Sequence, residues 1–354
     1  MVAQKKFKGY AVTDAKKWNE LTVIEFPSKN WEETDIEIAI THCGVCGSDV
    51  HTLTSGWGAF EAPLVAGHEI VGTAVRVGSK VKDIKVGDRV GVGAQVASCY
   101  KCKYCKSDNE NYCPEQVDTY NSKHPDGVRT QGGYSTGIIA HEQFVFPIPK
   151  ALSSADACSM LCGGLTVFSP LKRNGAGSGK KVGIIGIGGL GHYAVMFAKA
   201  LGAEVYAFTH QKNKEEDIKK MGADHIVLTQ GKGFEQKYKM TLDLIISTRD
   251  QSDESFPFSE YLSMLDVHGK FISVGLPDSK FPGVNAFMFA GNACFFGGSH
   301  IGSKKEALEM LDIAAKKGVK PWIQELSMKD VKTALEGVKE NRVRYRYVLR
   351  QDIT

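Results

Sequence analysis

A glycine-rich turn between a predicted strand and a predicted helix constrains the fold of this chain more than any other feature. Residues 181–191 read KVGIIGIGGLG, a short apolar run followed by closely spaced glycines, and an apolar stripe at helical spacing continues over 192–202. One glycine permits the tight turn, one lets the backbone approach a pyrophosphate, and one lets the helix pack on the strand. The pattern predicts a dinucleotide-binding turn with the cofactor at Gly186, Gly188, Gly189, Leu190 and Gly191.

Strand and helix signals alternate beyond this turn, whereas the first 160 residues contain short strands separated by glycine turns. The alternation predicts strands over 204–208, 225–227, 242–246 and 270–274, and helices over 214–221 and 259–265. It is typical of parallel βαβ units, and the earlier pattern is typical of an all-β barrel. Near the C-terminus we expect a helix over 304–317 and a strand over 342–349 that returns to the β-domain. Two domains fit a length of 354 residues.

The end of the second strand of this α/β unit indicates which dinucleotide binds. NAD sites place an Asp or Glu there, on the ribose 2′-hydroxyl. Here the strand is followed by THQKNK, without a carboxylate, and Glu204 lies at its other end. Because a hydroxyl, an imidazole and lysines suit a 2′-phosphate, Thr209, His210 and Lys214 predict NADP(H). The alternative is a solvated helix N-terminus, in which the acidic residues that follow weaken the positive field.

Four cysteines, Cys99, Cys102, Cys105 and Cys113, lie within one polar segment. Four thiolates can close one tetrahedral zinc site, which leaves no room for substrate and is therefore structural. The residues between them have no hydrophobic core of their own, so a bound metal ion is expected to hold this segment in one conformation. The alternative is a redox or iron–sulfur cluster, but the spacing matches neither common ferredoxin pattern.

A second set of metal-ligand residue types is spread over the first half of the chain. A catalytic zinc keeps three protein ligands and one open position, and two cysteines with one histidine form a known set. Cys46, His68 and Cys162 can fill it, and Glu69 can occupy the fourth position and yield it to water or substrate. Each residue alone has an ordinary alternative as a buried thiol or a turn histidine. That ordinary interpretation is the one expected for Cys43, Cys158 and Cys294.

Composition excludes several classes of protein. The net charge of +4 is small and scattered, which argues against nucleic-acid binding. No apolar run reaches the roughly 18 residues expected of a membrane span. The N-terminal residues lack the apolar core of a signal peptide, so a cytoplasmic protein is expected. In that reducing compartment nine cysteines favour metal ligands and thiols over disulfides.

Together these motifs resemble the zinc-dependent medium-chain dehydrogenase/reductase superfamily. Within it the chain is most similar to the cinnamyl alcohol dehydrogenase branch, and closest to yeast NADP-dependent alcohol dehydrogenases of broad specificity. The resemblance runs almost from end to end. It is carried by CGVCGSD at 43–49, GHE at 67–69, VGDRV at 86–90, the four-cysteine segment, QGGY at 131–134, LCGGLT at 161–166, the glycine turn and VRYR at 343–346.

The resemblance implies an α/β protein of two domains. A GroES-like β-barrel catalytic domain would comprise 1–162 and 301–354, with a structural zinc lobe at about 95–115. A Rossmann NADP-binding domain would be inserted at 163–300. The family is usually a homodimer through the edge of the Rossmann sheet, here near 280–296.

The resemblance also implies roles for individual residues. Cys46, His68 and Cys162 would hold a catalytic zinc with Glu69 as the displaceable ligand, a second zinc per chain beside the structural one. Ser48 and His51 match the family's proton relay. The expected cofactor lining adds Thr166, Val274, Ser299, Ile301 and Arg344. One departure is that the family often has serines where this chain has Thr209 and His210.

The implied activity is hydride transfer between NADPH and medium-chain aliphatic or aromatic, cinnamyl-type, aldehydes. Four aromatic residues in predicted loops are candidates for the pocket, with ordinary core or dimer packing as the alternative: Trp57, Tyr120, Phe289 and Phe295. Two rival functions stay open at this point. One is an NAD-dependent polyol or secondary-alcohol dehydrogenase, and the other is a non-catalytic, zinc-stapled binding protein on the same scaffold.

Overall fold

The computed structural model describes residues 4–250, 255–278, 280–281 and 283–354, and the chain divides into two compact units. The first comprises Met1–Leu165, Gly302–Lys316 and Lys320–Thr354, and we call it the catalytic unit. The second comprises Thr166–Ile301 and Lys317–Val319, and we call it the nucleotide unit.

The N-terminal part of the catalytic unit is mostly β-structure. Its strands are β1 (Lys6–Val12), β2 (Leu21–Pro27), β3 (Asp35–Val45), β4 (Leu64–Val65), β5 (Glu69–Val77), β6 (Arg89–Val92), β7 (Gln95–Ala97), β8 (Val117–Asp118), β9 (Gly137–His141) and β10 (Val145–Pro147). Its helices are α1 (Gly47–Leu53) and α2 (Ser154–Ser159), and a π-helical turn, Met160–Gly164, continues α2. This β-rich organisation confirms the class predicted for the first 160 residues.

The nucleotide unit is a single parallel sheet with helices. Its elements are α3 (Leu165–Arg173), β11 (Lys181–Ile185), α4 (Gly191–Leu201), β12 (Glu204–Thr209), α5 (Glu215–Met221), β13 (His225–Leu228), β14 (Leu242–Ser247), α6 (Phe258–Ser263), β15 (Leu265–Ser273), α7 (Phe287–Ala290) and β16 (Phe295–Gly298). The strand order is β13-β12-β11-β14-β15-β16, and every pair is parallel. This is the doubly wound order of a Rossmann fold. The predicted helix 259–265 ends early because Leu265 already pairs with Leu242 in the sheet.

The C-terminal part returns to the catalytic unit through α8 (Lys304–Lys317), β17 (Ile323–Ser327), α9 (Val331–Lys339) and β18 (Arg346–Arg350). The main sheet has the order β10-β6-β5-β3-β18-β17, with β9 also paired to β3. The register sets Gly44 on β3 against Glu69 on β5 and against Val348 on β18. The strand predicted over 342–349 was placed too early, because pairing with β17 begins only at Arg346 and pairing with β3 only at Tyr347.

Both units have their own apolar cores. The catalytic unit packs aliphatic side chains from the β3, β5 and β6 strands, and the nucleotide unit has an aromatic cluster on one side of its sheet.

Single 3₁₀ turns lie at Cys105–Ser107, Glu110–Tyr112, Glu142–Phe144, Lys212–Lys214, Gln236–Tyr238 and Met328–Asp330. Within the described ranges, every helix is too short or too polar to cross a membrane.

Candidate metal centres and dinucleotide site

A buried cluster of four metal-ligand side chains forms in the catalytic unit. Cys46 precedes α1, His68 and Glu69 lie where β5 begins, and Cys162 lies in the π-helical turn after α2. Their ligand atoms all fall within 4.8 Å of one another, and all four residues are buried. His68 Nε2 is 3.1 Å from Cys162 Sγ, which in turn is 3.9 Å from Cys46 Sγ. The structure thus brings together the four residues that the sequence predicts at a catalytic zinc.

Asp49, in the first turn of α1, holds this cluster in place. Its carboxylate is fully buried and accepts four hydrogen bonds. Oδ1 accepts from His68 Nδ1 at 3.1 Å and from the Gly67 amide at 3.2 Å, and Oδ2 accepts from the Cys46 amide at 2.9 Å and the Tyr134 hydroxyl at 2.7 Å. Because Nδ1 is engaged, His68 presents Nε2 to the other ligands. The Asp49 charge and hydrogen bond raise the pKa of His68 well above its usual value, against the lowering effect of burial.

Glu69 is the unusual member of the cluster, because its two carboxylate oxygens have different environments. Oε1 pairs with Arg346 on β18 and accepts the Gly163 amide at 3.3 Å. Among the residues that the structure describes, Oε2 has no hydrogen-bond partner although it is buried. Burial raises the pKa of Glu69 to about 7, while the charge of Arg346 acts in the opposite direction.

These donors fit a zinc ion. Two thiols, an imidazole nitrogen and a carboxylate oxygen are zinc ligands, and a buried oxygen without a partner is costly unless a ligand binds it. A hydrogen bond from Cys162 lowers the pKa of Cys46 well below its usual value, which favours the thiolate that binds metal. Sequence analysis missed Asp49 and Arg346. The signal for Asp49 was present, since it lies within the CGVCGSD motif three residues after a ligand.

The four-cysteine cluster is local and partly exposed. Its sulfur atoms lie 3.5 Å apart for Cys99–Cys113 and Cys102–Cys105, and 3.9 Å apart for Cys99–Cys105 and Cys102–Cys113. Four thiolates about 2.3 Å from one zinc ion would lie about 3.8 Å from each other, so this cluster also fits zinc. The amide of Lys101 is the largest of the effects that lower the pKa of Cys99, to about 7.

Of the two predicted relay residues, Ser48 lies beside the buried cluster. The Ser48 hydroxyl is 3.6 Å from Cys46 Sγ, and His51 is in the last turn of the same helix. The ring of Trp57 is stacked on His51, with centroids 4.8 Å apart and planes 5° apart. Tyr120 is buried with its ring 5.6 Å from that of His68, and burial raises its pKa well above the usual value.

The glycine turn in the nucleotide unit has the conformation that glycine permits. Gly186 adopts a left-handed φ of 84°, and a Cβ on Gly191 would overlap the Gly186 carbonyl. Gly188 has open space where a side chain would lie, so its backbone is accessible to a ligand. Gly189 and Leu190 complete the turn before α4. The backbone at this turn therefore leaves room for a pyrophosphate at the start of α4.

The strand end that should select the cofactor carries no carboxylate. Thr209 is buried and its hydroxyl accepts the Gln211 amide at 3.1 Å, whereas His210 is exposed. Lys214 Nζ donates to the carbonyl of Ile187 at 2.9 Å, so its charge lies beside the glycine turn. A cation beside the glycine turn and an exposed imidazole thus lie in the segment that follows β12.

The remaining predicted site residues fall in both units. In the nucleotide unit Thr166 and Val274 are buried, Ser299 has a buried hydroxyl without a partner in the described chain, and Ile301 has a left-handed φ of 52°. Arg344 belongs to the catalytic unit. The prediction that the pocket aromatics lie in loops was wrong for two of them, because regular structure forms there: Phe289 lies in α7 and Phe295 on the edge strand β16.

Comparison with known proteins matches both parts of the chain. The family model described as the alcohol dehydrogenase GroES-like domain matches residues 32–150, and that described as zinc-binding dehydrogenase matches residues 189–316. The chain is 41% identical to the NADP-dependent alcohol dehydrogenase 6 of Saccharomyces cerevisiae over 97% of this chain and 96% of that protein.

Two solved structures share the whole fold. A cinnamyl alcohol dehydrogenase from Sorghum bicolor is 34% identical with a TM-score of 0.92, covering 98% of each chain. A protein called CAD from Helicobacter pylori, in complex with NADP(H), is 35% identical with a TM-score of 0.89, covering 98% of this chain and 99% of its own.

Proposed function

The chain belongs to the zinc-dependent medium-chain dehydrogenase/reductase superfamily, in its cinnamyl alcohol dehydrogenase branch, and we propose from this that it reduces aldehydes to alcohols with NADPH. It is an NADP(H)-dependent alcohol dehydrogenase that also runs in the oxidative direction. The single observation that carries this function is the buried cluster of Cys46, His68, Glu69 and Cys162 with its unpartnered carboxylate oxygen. The substrates are medium-chain aliphatic and aromatic, cinnamyl-type, aldehydes.

Each chain holds two zinc ions in this proposal. The buried cluster binds the catalytic ion, and Glu69 is the ligand that gives way to water or substrate. The restraint of Oε1 by Arg346 and the Gly163 amide supports this role, because only Oε2 is free to change partner. The segment 99–113 binds the structural ion through its four cysteines. Metal analysis of the purified protein should give about two zinc ions per chain.

When bound, zinc supplies a Lewis acid that polarises the carbonyl, and NADPH supplies the hydride. Ser48 gives a proton to the substrate oxygen and recovers one, since its hydroxyl is both a donor and an acceptor. His51 lies three positions further along α1, on the same face, and exchanges that proton with solvent. An imidazole suits this task because one ring nitrogen donates a hydrogen bond while the other accepts one.

NADP(H) selection rests on the segment after β12. Thr209, His210 and Lys214 recognise the 2′-phosphate, while the glycine turn 186–191 binds the pyrophosphate. The contact of Lys214 with the Ile187 carbonyl supports this, because it holds a positive charge beside the glycine turn. Within the nucleotide unit, the rest of the cofactor lies against Thr166, Val274, Ser299 and Ile301.

The enzyme is a cytoplasmic homodimer in this proposal. All nine cysteines, each in the described part of the chain, are free of disulfides, as suits a reducing compartment. The edge strand β16 leaves Phe295 and Phe296 exposed, and exposed sheet edges pair readily with a second copy. The predicted contact segment 280–296 includes Pro282, which lies outside the described residues.

Initial rates with cinnamaldehyde and either NADPH or NADH test this function. A strong preference for NADPH would support it, and comparable rates with NADH would overturn the cofactor assignment alone. Lys214→Ala should raise KM for NADPH by about tenfold or more and leave KM for NADH nearly unchanged, because a charge-assisted hydrogen bond to phosphate is lost. Lys212→Ala is the matched control, since that lysine is exposed in the same segment. Activity only with NAD and polyols would contradict the aldehyde assignment.

A further inference from the structure

The ring of Trp57 forms a parallel stack with the imidazole of His51. The centroids are 4.8 Å apart and the planes differ by 5°. Trp57 is 43% exposed, so burial in an apolar core does not explain where the indole lies. Both residues belong to the catalytic unit, and Trp57 follows His51 by six positions in the chain.

The backbone that follows α1 is folded back to make this contact. The Gly56 amide donates to the His51 carbonyl at 2.8 Å, and the Thr54 amide donates to the Val50 carbonyl at 2.9 Å. Two residues in the left-handed region, Ser55 at φ 60° and Gly58 at φ 117°, frame the indole. This turn carries the chain past the end of α1 and sets Trp57 over the histidine ring.

An indole face against an imidazole acts on the histidine in two ways. It restricts rotation of the ring, so that the two nitrogens keep their directions. It also interacts favourably with the imidazolium, because the π-system attracts a cation placed over it. A stacked histidine therefore keeps one orientation when it is neutral and when it is charged, as a residue that passes protons requires.

We propose that Trp57 is a positioning residue for proton transfer, which holds the His51 imidazole in its working orientation by stacking on it. This inference rests on the relay role of His51 in the proposed function. The expectation that Trp57 lines the substrate pocket stays a separate prediction. Trp57 acts through His51 and makes no contact with the reacting atoms in this role.

A double-mutant cycle separates the two roles. Trp57→Leu should lower kcat by about two- to fivefold, the loss of one cation–π contact, with KM for aldehyde unchanged. Trp57→Phe should recover much of the rate, because a phenyl ring can still stack. In a His51→Gln background Trp57→Leu should cause no further loss, since the group that it positions is gone.

Three outcomes would overturn the inference. An equal loss from Trp57→Leu in both backgrounds, or a rise in KM for cinnamaldehyde but not for a short aldehyde, would make Trp57 a pocket wall. In either case the relay would still stand. If His51→Gln itself leaves kcat and its pH profile unchanged, the relay in the proposed function fails, and this inference fails with it.

Fluorescence gives a readout that does not depend on turnover. The emission of an indole depends on the group in contact with its ring, so the emission lost in Trp57→Phe should change when His51→Gln removes the stacked imidazole. Trp31→Phe is the matched control, because its ring is covered by the Arg76 guanidinium at 3.8 Å and its emission should not respond to His51→Gln. A Trp57 emission that is the same in the parent protein and in His51→Gln would contradict the stack in solution.

Discussion

The two ligand clusters of the catalytic unit are assembled in opposite ways. The four-cysteine cluster takes every ligand from the segment 99–113 and is partly exposed. The buried cluster joins Cys46 and Cys162, which are 116 positions apart, with two residues from the start of β5. Its ligands are held by a carboxylate, an arginine and a strand register that involve the whole unit.

This difference indicates that the four-cysteine cluster serves mainly the stability of the fold and the buried cluster mainly the reaction. The segment 99–113 has only short 3₁₀ turns, so a bound metal ion would supply much of its order. The buried cluster has a hydrogen-bonded frame around Asp49 and Glu69 that comes from the fold itself. We therefore expect loss of a ligand in the local cluster to destabilise the fold, and loss of one in the buried cluster to remove activity.

The largest effect should come from Cys46→Ala. Removing this ligand should lower kcat/KM by about a thousandfold, because the Lewis acid supplies several kcal/mol of transition-state stabilisation. The unfolding midpoint should move by only a few degrees, since the surrounding hydrogen bonds remain. Steady-state kinetics, zinc analysis and thermal unfolding would measure these quantities. Cys294→Ala is the control for a cysteine outside both clusters, and a similar loss there would remove the distinction.

Cys102→Ser should have the opposite profile. Without one of its four thiolates the local cluster should bind zinc weakly, and the unfolding midpoint should fall by on the order of 10 °C. The kcat of the protein that remains folded should stay within about threefold of the parent value, because the buried ligands are untouched. Tyr104→Phe, in the same segment, controls for a surface change. A stable Cys102→Ser protein with no activity would reverse our comparison of the two clusters.

Local patterns predicted much of this molecule. The helix over 304–317 has the predicted bounds, and the βαβ alternation and the four-cysteine segment were readable because each depends on neighbours in the chain. Arg346 could not be placed beside Glu69 in this way. That pair exists because β18 joins β3 in one register and β3 joins β5 in another, and no local signal specifies either pairing. The same reason explains why alternation over 342–349 overestimated the strand.

Asp49→Asn should have an intermediate effect, confined to the buried cluster. The amide replaces one acceptor oxygen with a donor and removes the charge that orients His68. Loss of such support typically costs about 10- to 100-fold in metal affinity or activity. Zinc release to a chelator should accelerate for the buried ion and not for the four-cysteine ion. Tyr134→Phe, which removes one of the four hydrogen bonds to this carboxylate, should cause a smaller change in the same direction.

Release of the four-cysteine zinc instead would mean that Asp49 supports the fold as a whole. Asp49→Asn and Tyr134→Phe would then shift the unfolding midpoint in the same direction. Such a result would count against the division of roles between the two clusters more strongly than either cysteine variant could, because Asp49→Asn leaves every metal ligand in place.

The smallest expected effect comes from His141, an uncharged histidine that packs beside the four-cysteine cluster. His141 is stacked on Tyr100, between two of the cysteines, with ring centroids 4.0 Å apart, and its Nδ1 accepts the Gln143 amide at 3.1 Å. Burial lowers the pKa of His141 to about 4, and burial lowers the pKa of His124 to about 4 as well. In the unfolded chain both would titrate near their usual value of about 6.5.

These two histidines should therefore make stability depend on pH in one direction. Above about pH 6.5 both states leave these histidines neutral, and between about 6.5 and 4 the unfolded state binds more protons, so the free energy of unfolding falls as pH falls. His141→Asn keeps an acceptor for the Gln143 amide and removes the titrating group. Its unfolding free energy should fall less steeply as the pH falls through this window, because the unfolded variant takes up about one proton fewer. Denaturant unfolding at several pH values measures that slope, and an unchanged slope would show that acid acts on the catalytic unit through the carboxylates instead.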